Sequence, residues 1–382
     1  MIAGGLGGLG RSAARWMASM GAKNLILLSR SGPKATAAQE LIRELTDQGV
    51  RVRAPRCDLT SSEALTRALE ECRDLPPIRG CIQGTMVLQD TIFESLTFSQ
   101  WDTTLQSKVK STENLHAQLP ADLDFFILLS SLAGVIGHIS QANYAAGNTF
   151  QDAFAAYRRS LGQRAVALDL GWMREIGVAA EQEHLAMRVN AAPSMAGISE
   201  AEFLALLERC CDPAANPVTT TISSKPQILV GVVTPAQLRA HGHETPTWLT
   251  ERSMFQTLRQ EATGPGETDG ADNSPINPGG DTSPSNWHRA FARADSSSAA
   301  VTVVIEGLTR KLARSLSLTS PSEIDQQRSL ALQGVDSLLA VEMRQWVSRA
   351  FGAEVSALDI TSAPNLEELA GMVVAYSEVK FD

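Results

Sequence analysis

The chain has 382 residues, enough for about two or three domains, and carries 33 basic against 42 acidic side chains for a net charge of −9, which argues against a nucleic-acid-binding surface. No apolar run is long enough to span a bilayer, so no membrane partner is expected. Five cysteines (Cys57, Cys72, Cys81, Cys210, Cys211) show no CxxC spacing and fit a reduced, cytoplasmic setting better than a disulfide framework or a zinc site.

Ala3-Gly4-Gly5-Leu6-Gly7-Gly8-Leu9-Gly10 opens the chain and runs into a helix-like segment at 11–20, then an apolar strand at 23–30. Gly5, Gly7 and Gly10, with Leu6 among them, hold the GxGxxG spacing. Such glycines allow a tight turn, close approach to a pyrophosphate and close helix packing, with the helix N-terminus facing the phosphates. The strand before this loop should have about five or six residues, and only Met1-Ile2-Ala3 stand there, the pattern of a late start or of a piece of a longer chain. The second strand ends in Ser29-Arg30, where an acidic residue would suit the ribose hydroxyl of NADH. An arginine there suits a 2′-phosphate and so NADPH, although a solvated surface arginine reads the same way.

Helix-like and strand-like segments then alternate at 38–48, 51–54, 61–72, 78–82, 98–117, 125–129, 142–160 and 165–170. This βαβ rhythm predicts an α/β fold with a doubly wound parallel sheet. Asp58, just past the third strand, is placed to touch an adenine or to cap the next helix. Phe125-Phe126-Ile127-Leu128-Leu129-Ser130-Ser131 reads as a buried strand delivering hydroxyls to its C-terminal end. Tyr144 and Asn148, four apart in the next helix, share one face. A serine, a tyrosine and an amide converging on one carbonyl oxygen supply what ketone reduction needs, one donor to polarise and one acid to protonate. A core tyrosine beside a capping asparagine is the bland alternative.

Beyond 171 the pattern loosens, and 187–198 has the look of a lid over a pocket. A helix at 199–211 and a strand at 226–233 follow, and His241 and His243 read as an exposed turn. The segment 257–297 is rich in Gly, Pro, Asp, Asn, Ser and Thr and reads as a flexible linker between a first domain at 1–245 and a second at 298–382. The second domain shows helices at 301–316, from Ser337 to 351 and at 365–377, a small bundle whose core would be Val304, Leu308, Leu312, Leu339, Val341, Met343 and Leu369. Asp336 is a natural N-cap that leaves Ser337 at the first helical position, as an exposed hydroxyl or a second capping group.

Together these stretches resemble the C-terminal ketoreductase and acyl-carrier region of fungal highly reducing polyketide synthases, the ketoreductase being of the short-chain dehydrogenase type. Gly334-Val335-Asp336-Ser337-Leu338 matches the carrier signature. The resemblance implies a 4′-phosphopantetheine arm on Ser337, loaded by a phosphopantetheinyl transferase. Ser131, thirteen residues before Tyr144, together with Asn148 and Lys108, matches the ketoreductase pattern. A free-standing short-chain dehydrogenase carries lysine four residues after its tyrosine, where this chain has Asn148. The implied catalytic set is Tyr144 as proton donor, Ser131 on the oxyanion, Lys108 beside the tyrosine and Asn148 orienting the lysine and a relay water. Lys110 reads as solvated. The implied reaction is NADPH-dependent reduction of a 3-oxoacyl thioester borne on the carrier arm, in concert with other synthase domains. The structural half that such ketoreductases carry before the glycine loop has no counterpart here. Leu88-Gln89-Asp90 resembles the Leu-Asp-Asp element that steers product configuration, and the tryptophan of the opposite type, which would fall near Ile136, is absent; a D-hydroxy product is expected. The rival readings are a stand-alone reductase fused to an unrelated carrier and an inactive reductase remnant beside a working carrier.

Overall fold

The computed structural model describes residues 1–178, 195–214, 226–240, 245–246, 248–249, 252–260, 284–316, 318 and 320–379. The expected lid falls mostly outside these residues, as do His241, His243 and most of the expected linker. The chain divides into two units, Met1–Ala262 and Thr263–Asp382.

Short apolar runs bounded by glycine or polar turns become strands in the first unit. They are β1 (Ile2–Ala3), β2 (Asn24–Leu28), β3 (Arg51–Arg53), β4 (Gly80–Gln83), β5 (Phe125–Ser131), β6 (Val166–Leu170), a short parallel pair β7 (Trp172–Met173) and β8 (Gly197–Ile198), and β9 (Gln227–Val230). Seven of them form one sheet in the order β3-β2-β1-β4-β5-β6-β9, and every pairing in it is parallel. Two residues suffice for β1 to pair on both edges, Ile2 standing opposite Leu27 and Ile82.

Parallel strands need crossovers, and helices supply them on both faces. They are α1 (Gly8–Ser19), α2 (Thr36–Asp47), α3 (Ser62–Glu70), α4 (Phe98–Gln118), the single turn α5 (Ala133–Ile136), α6 (Ala142–Ser160) and α7 (Glu200–Cys211). Side-chain alternation along the strands makes two cores. Leu25, Leu27, Ile127, Leu129, Val166 and Leu168 pack with α1, α2 and α7, while Ile26, Leu28, Phe126, Leu128 and Ala167 pack with α3, α4 and α6. This is the doubly wound sheet that the βαβ rhythm predicts. No helix among the described residues is long and apolar enough to cross a membrane.

The first unit runs past the expected boundary at 245. Phe255, 2% exposed, and Leu249 complete an apolar cluster with Leu132, Val135, Ile136 and Leu238, and residues 256–260 are helical.

In the second unit the helices are α8 (Pro284–Ala292), α9 (Ser297–Ser315), α10 (Ser337–Phe351), α11 (Ala357–Ser362) and α12 (Leu366–Tyr376). Each of the last four begins at a local cap: Ser296, Asp336, Ser356 and Asn365 accept the backbone N–H of Ala299, Leu339, Asp359 and Glu368. Such caps contribute about 1 kcal/mol each. The linker expected over 257–297 is shorter than its composition suggests, because α8 buries Trp287 and Phe291 against the bundle. These aromatics stand four apart on one helix face, a stripe that polar neighbours dilute. The predicted core residues Val304, Leu308, Leu312, Met343 and Leu369 are buried and Leu339 packs against them. Val341 does not join the core; Ala340, Met343 and Val347 form the inward row of α10 instead, and Val341 lies one position off it.

Candidate active site

A cleft of about 660 Å³ opens at the C-terminal ends of the central strands. It begins where β1 separates β2 from β4, the crevice at which ligands sit in doubly wound sheets. Gly4, Gly7 and Gly10 line one end, and Lys108, Ser131 and Tyr144 line the other.

The glycine loop is shaped by backbone crowding. Gly4 has φ +77°, and a Cβ on Gly10 would sit 2.3 Å from the Gly4 carbonyl oxygen, so the loop and α1 close only over bare backbone. Gly7 caps α1 without a side-chain hydrogen bond, which leaves the first N–H groups of the helix facing the cleft. Gly5 and Leu6, read from the sequence as cofactor contacts, do not line the cleft. A Cβ on Gly5 would press on Ile2 and Leu27, so this glycine seats the loop on the sheet, and Leu6 is buried. Ser29, Arg30 and Asp58 line the cleft farther along. The Ser29 hydroxyl is buried without a protein partner, an open polar group in the wall. Asp58 Oδ1 accepts from the amide and hydroxyl of Thr60, at 3.0 and 2.8 Å, and Ser61 is the cap of α3, so Asp58 is not that helix's N-cap. Bare glycine backbone, unpaired helix N–H groups and an exposed arginine suit a phosphorylated dinucleotide, and the cleft volume lies within the usual range for small-molecule sites.

At the other end α4 and α6 pack face to face. Ahead of Asn114 and Leu115, the buried stripe of α4 is made of small polar groups and one lysine: Thr104, Ser107, Lys108, Ser111 and Thr112. Opposite Lys108 stands Gly147, where a Cβ would lie 3.0 Å from the lysine Cβ and 3.1 Å from its Cγ. The missing side chain lets the lysine stem lie flat between the helices. Lys108, 2% exposed, donates to the Leu129 carbonyl at 2.6 Å, and its Nζ lies 5.6 Å from the centre of the Tyr144 ring. Burial pushes its ammonium down to about 7 against the opposing pull of Asp152 and Asp169. Lys110 pairs with Glu113 at the surface, at 3.1 Å.

Burial pushes the Tyr144 phenol above its ordinary value, and hydrogen bonding to Ser131 and Asn148 pulls it partly back. Asn148 donates to the Tyr144 carbonyl at 2.8 Å, while its buried Oδ1 has no protein partner. Ser130 and Ser131 point to opposite faces. Both border the cleft, but Ser130 is buried and donates to Asp152 at 2.7 Å, whereas the less buried Ser131 accepts the Ala133 N–H at 3.2 Å.

Sequence reasoning passed over Asn143, which is fully buried beside the tyrosine. Its Nδ2 reaches the Gln89 carbonyl, the Gln100 carbonyl and the Thr104 hydroxyl at 3.1, 3.4 and 3.2 Å, and its Oδ1 accepts the Tyr144 N–H at 2.8 Å. One amide thus ties Gln89 and the start of α4 to the first turn of α6. Gln141 adds a bond to Asp90 at 2.9 Å. The signal available was a polar residue at an inward helix position. Asp169, an acid inside an otherwise apolar strand, offered a similar one.

Comparison with known families matches residues 1–175 to the KR domain and residues 306–373 to the phosphopantetheine attachment site. Highly reducing polyketide synthase 2 of Gibberella zeae is 43% identical over 99% of this chain, and highly reducing polyketide synthase 40 of Fusarium mangiferae is 44% identical over the same share. The chain spans only 14% and 15% of the length of these two relatives. Among solved structures, A-type ketoreductases from a modular polyketide synthase superpose with a TM-score of 0.58 at 30% identity, covering 68% of this chain and 52% of theirs. The first ketoreductase of the tylosin synthase gives a TM-score of 0.54 at 28% identity, covering 69% of this chain and 54% of that one.

Proposed function

Because residues 1–175 are a KR domain and residues 306–373 a phosphopantetheine attachment domain of the polyketide synthase kind, we propose that the chain reduces a 3-oxoacyl group to the 3-hydroxyacyl form. The acyl chain is carried as a thioester on a 4′-phosphopantetheine arm at Ser337, loaded by a phosphopantetheinyl transferase and extended by other synthase domains.

NADPH, when bound, supplies the hydride to the carbonyl carbon. Gly4, Gly7 and Gly10 with the N-terminus of α1 would hold its pyrophosphate, Arg30 and Ser29 its 2′-phosphate end, and Asp58 would stand by the adenine. Tyr144 donates its phenolic proton to the oxygen as the alkoxide forms, and Ser131 hydrogen-bonds the same oxygen. A phenol with a free pKa of about 10 needs a cation nearby to give up its proton, and the Lys108 ammonium is that cation. The open Oδ1 of Asn148 can accept from the lysine or from a relay water. The observation that carries this reading is the buried lysine pinned by the Leu129 carbonyl beside the Tyr144 ring. Leu88 lines the cleft and Asp90, bonded by the cleft residue Gln141, follows two residues on; with Gln89 they support a D-configured alcohol.

The test is single-turnover oxidation of NADPH by the purified chain with a soluble 3-oxoacyl thioester. Tyr144→Phe should slow it about 10²–10⁴-fold while nucleotide binding, followed by fluorescence, is kept. Wild-type turnover in that variant would sink the assignment.

A further inference from the structure

One polar group at the reacting end of the cleft takes no part in the proton transfer. Among the described residues, two buried side-chain polar atoms of the cleft wall have no protein partner, the Ser29 hydroxyl and the Trp172 indole N–H. Ser29 stands beside Arg30, at the end given to the 2′-phosphate. Trp172 stands at the other. Leu170, two residues before it, is the register partner of Ser131, and its carbonyl accepts the Leu132 N–H at 3.0 Å. The indole meets the His138 ring edge to face, with centroids 5.4 Å apart. His138 belongs to the loop before the helix of Tyr144 and lines the cleft with Gln141 and Tyr144. The indole is therefore flanked by the strand end that bears Ser131 and by the approach to Tyr144. Three other polar side chains of the cleft are already engaged. Gln141 donates to Asp90 at 2.9 Å, His138 Nδ1 meets the Ile139 carbonyl at 3.0 Å, and the Thr85 hydroxyl donates to the Ser107 carbonyl at 2.6 Å. The mount of the indole is firm: Gly171 donates to the Val230 carbonyl at 2.9 Å, and Trp172 pairs with Gly197 across β7 and β8. An indole nitrogen can only donate, so what it meets must be an acceptor.

We propose that the Trp172 indole N–H binds the thioester carbonyl oxygen of the acyl substrate. A 3-oxoacyl thioester carries two carbonyls separated by one methylene. With the C3 oxygen at Tyr144 and Ser131, the C1 oxygen is the next acceptor along the chain and falls in the same end of the cleft. The substrate is then held at two oxygens, which fixes the direction in which the acyl chain lies. The contact also sets specificity. A ketone without the C1 oxygen leaves the indole N–H buried and unpaired, the kind of loss by which polar sites reject an analogue. The nicotinamide carboxamide carries an acceptor as well. The packing of the indole on the loop before Tyr144 favours the acyl chain, and the experiment separates the two.

The inference rests on the reading of the chain as a 3-oxoacyl reductase, and its first arm needs no turnover, so the two can fail separately. The full chain, with isotope-labelled tryptophan, is followed by nitrogen–proton correlation NMR. NADP⁺ is added first, then either the N-acetylcysteamine thioester of 3-oxobutyric acid or the matching 3-oxobutyl thioether, whose C1 bears no oxygen. Of the six tryptophans, Trp172 alone lines the cleft among the described residues, so its indole signal is the one that should respond. The thioester should move it downfield and the thioether should not. In the second arm, Trp172→Phe keeps a ring against His138 and removes the donor. It should lower the preference for thioester over thioether, in kcat/KM, about three- to tenfold. An indole signal that ignores the thioester, one that answers both compounds alike, one that moves more with NADP⁺ alone, or a preference kept by the variant would each overturn the proposal. A chain that reduces neither compound would sink the reductase reading, and the NMR arm would still decide this one, as it would if the variant did not fold.

Discussion

The two units bury different things. Among the described residues, every buried polar or charged side chain but Thr309 belongs to the first unit, including Lys108, Asn143, Asn148, Gln151, Arg158 and Asp169. The second unit has a core of aromatic and aliphatic residues, with Ser337 at the first position of α10. The contrast follows from the work each would do. A reductase must hold a proton donor, a cation and an oxyanion donor at fixed places away from water, and each buried polar group needs partners to offset its lost hydration. A carrier need only present one serine from a rigid scaffold, and apolar packing supplies that.

The largest test of this contrast is Ser337→Ala. With coenzyme A and a phosphopantetheinyl transferase, intact mass should show one arm added to the wild type and none to the variant, while the variant still reduces a soluble thioester. An arm on the variant would put the attachment elsewhere. Next comes Leu308→Ala in the carrier core, which should destabilise that unit by about 2–5 kcal/mol. Hydrogen exchange should accelerate across α9, α10 and α12 and leave the sheet of the first unit unchanged; acceleration in both would show that the units share their stability. A smaller effect belongs to Arg30. The wild type should bind NADPH at least about tenfold more tightly than NADH, and Arg30→Ala should remove that preference without unfolding the protein. Equal affinities in the wild type would end the 2′-phosphate assignment. The smallest effect is on configuration: chiral chromatography of a reduced model thioester should give mostly the D-alcohol, and an excess of the L-alcohol would overturn the role given to the Leu88-Gln89-Asp90 element.

What the sequence determined by itself is what short range controls. Alternation and helical periodicity depend on neighbours a few residues away, so the order of strands and helices was legible, as was the opposite facing of Ser130 and Ser131. Caps are equally local, and Asp336 could be read as the start of α10 because its carboxylate reaches an amide only three residues on. Lys108 was legible only through the family resemblance. Nothing in the periodicity of α4 marks it, since the face it lies on is small and polar rather than apolar. Its place beside Tyr144 was decided by packing, through a glycine on another helix and a carbonyl on a strand twenty-one residues away. Tertiary structure likewise decided that Gly5 seats the loop instead of lining the cleft and that Ser61 rather than Asp58 caps α3. It also drew Trp287 and Phe291 into the bundle. Each of these outcomes turns on which surfaces meet, and a one-dimensional pattern carries only the faces an element offers, not the partners that cover them.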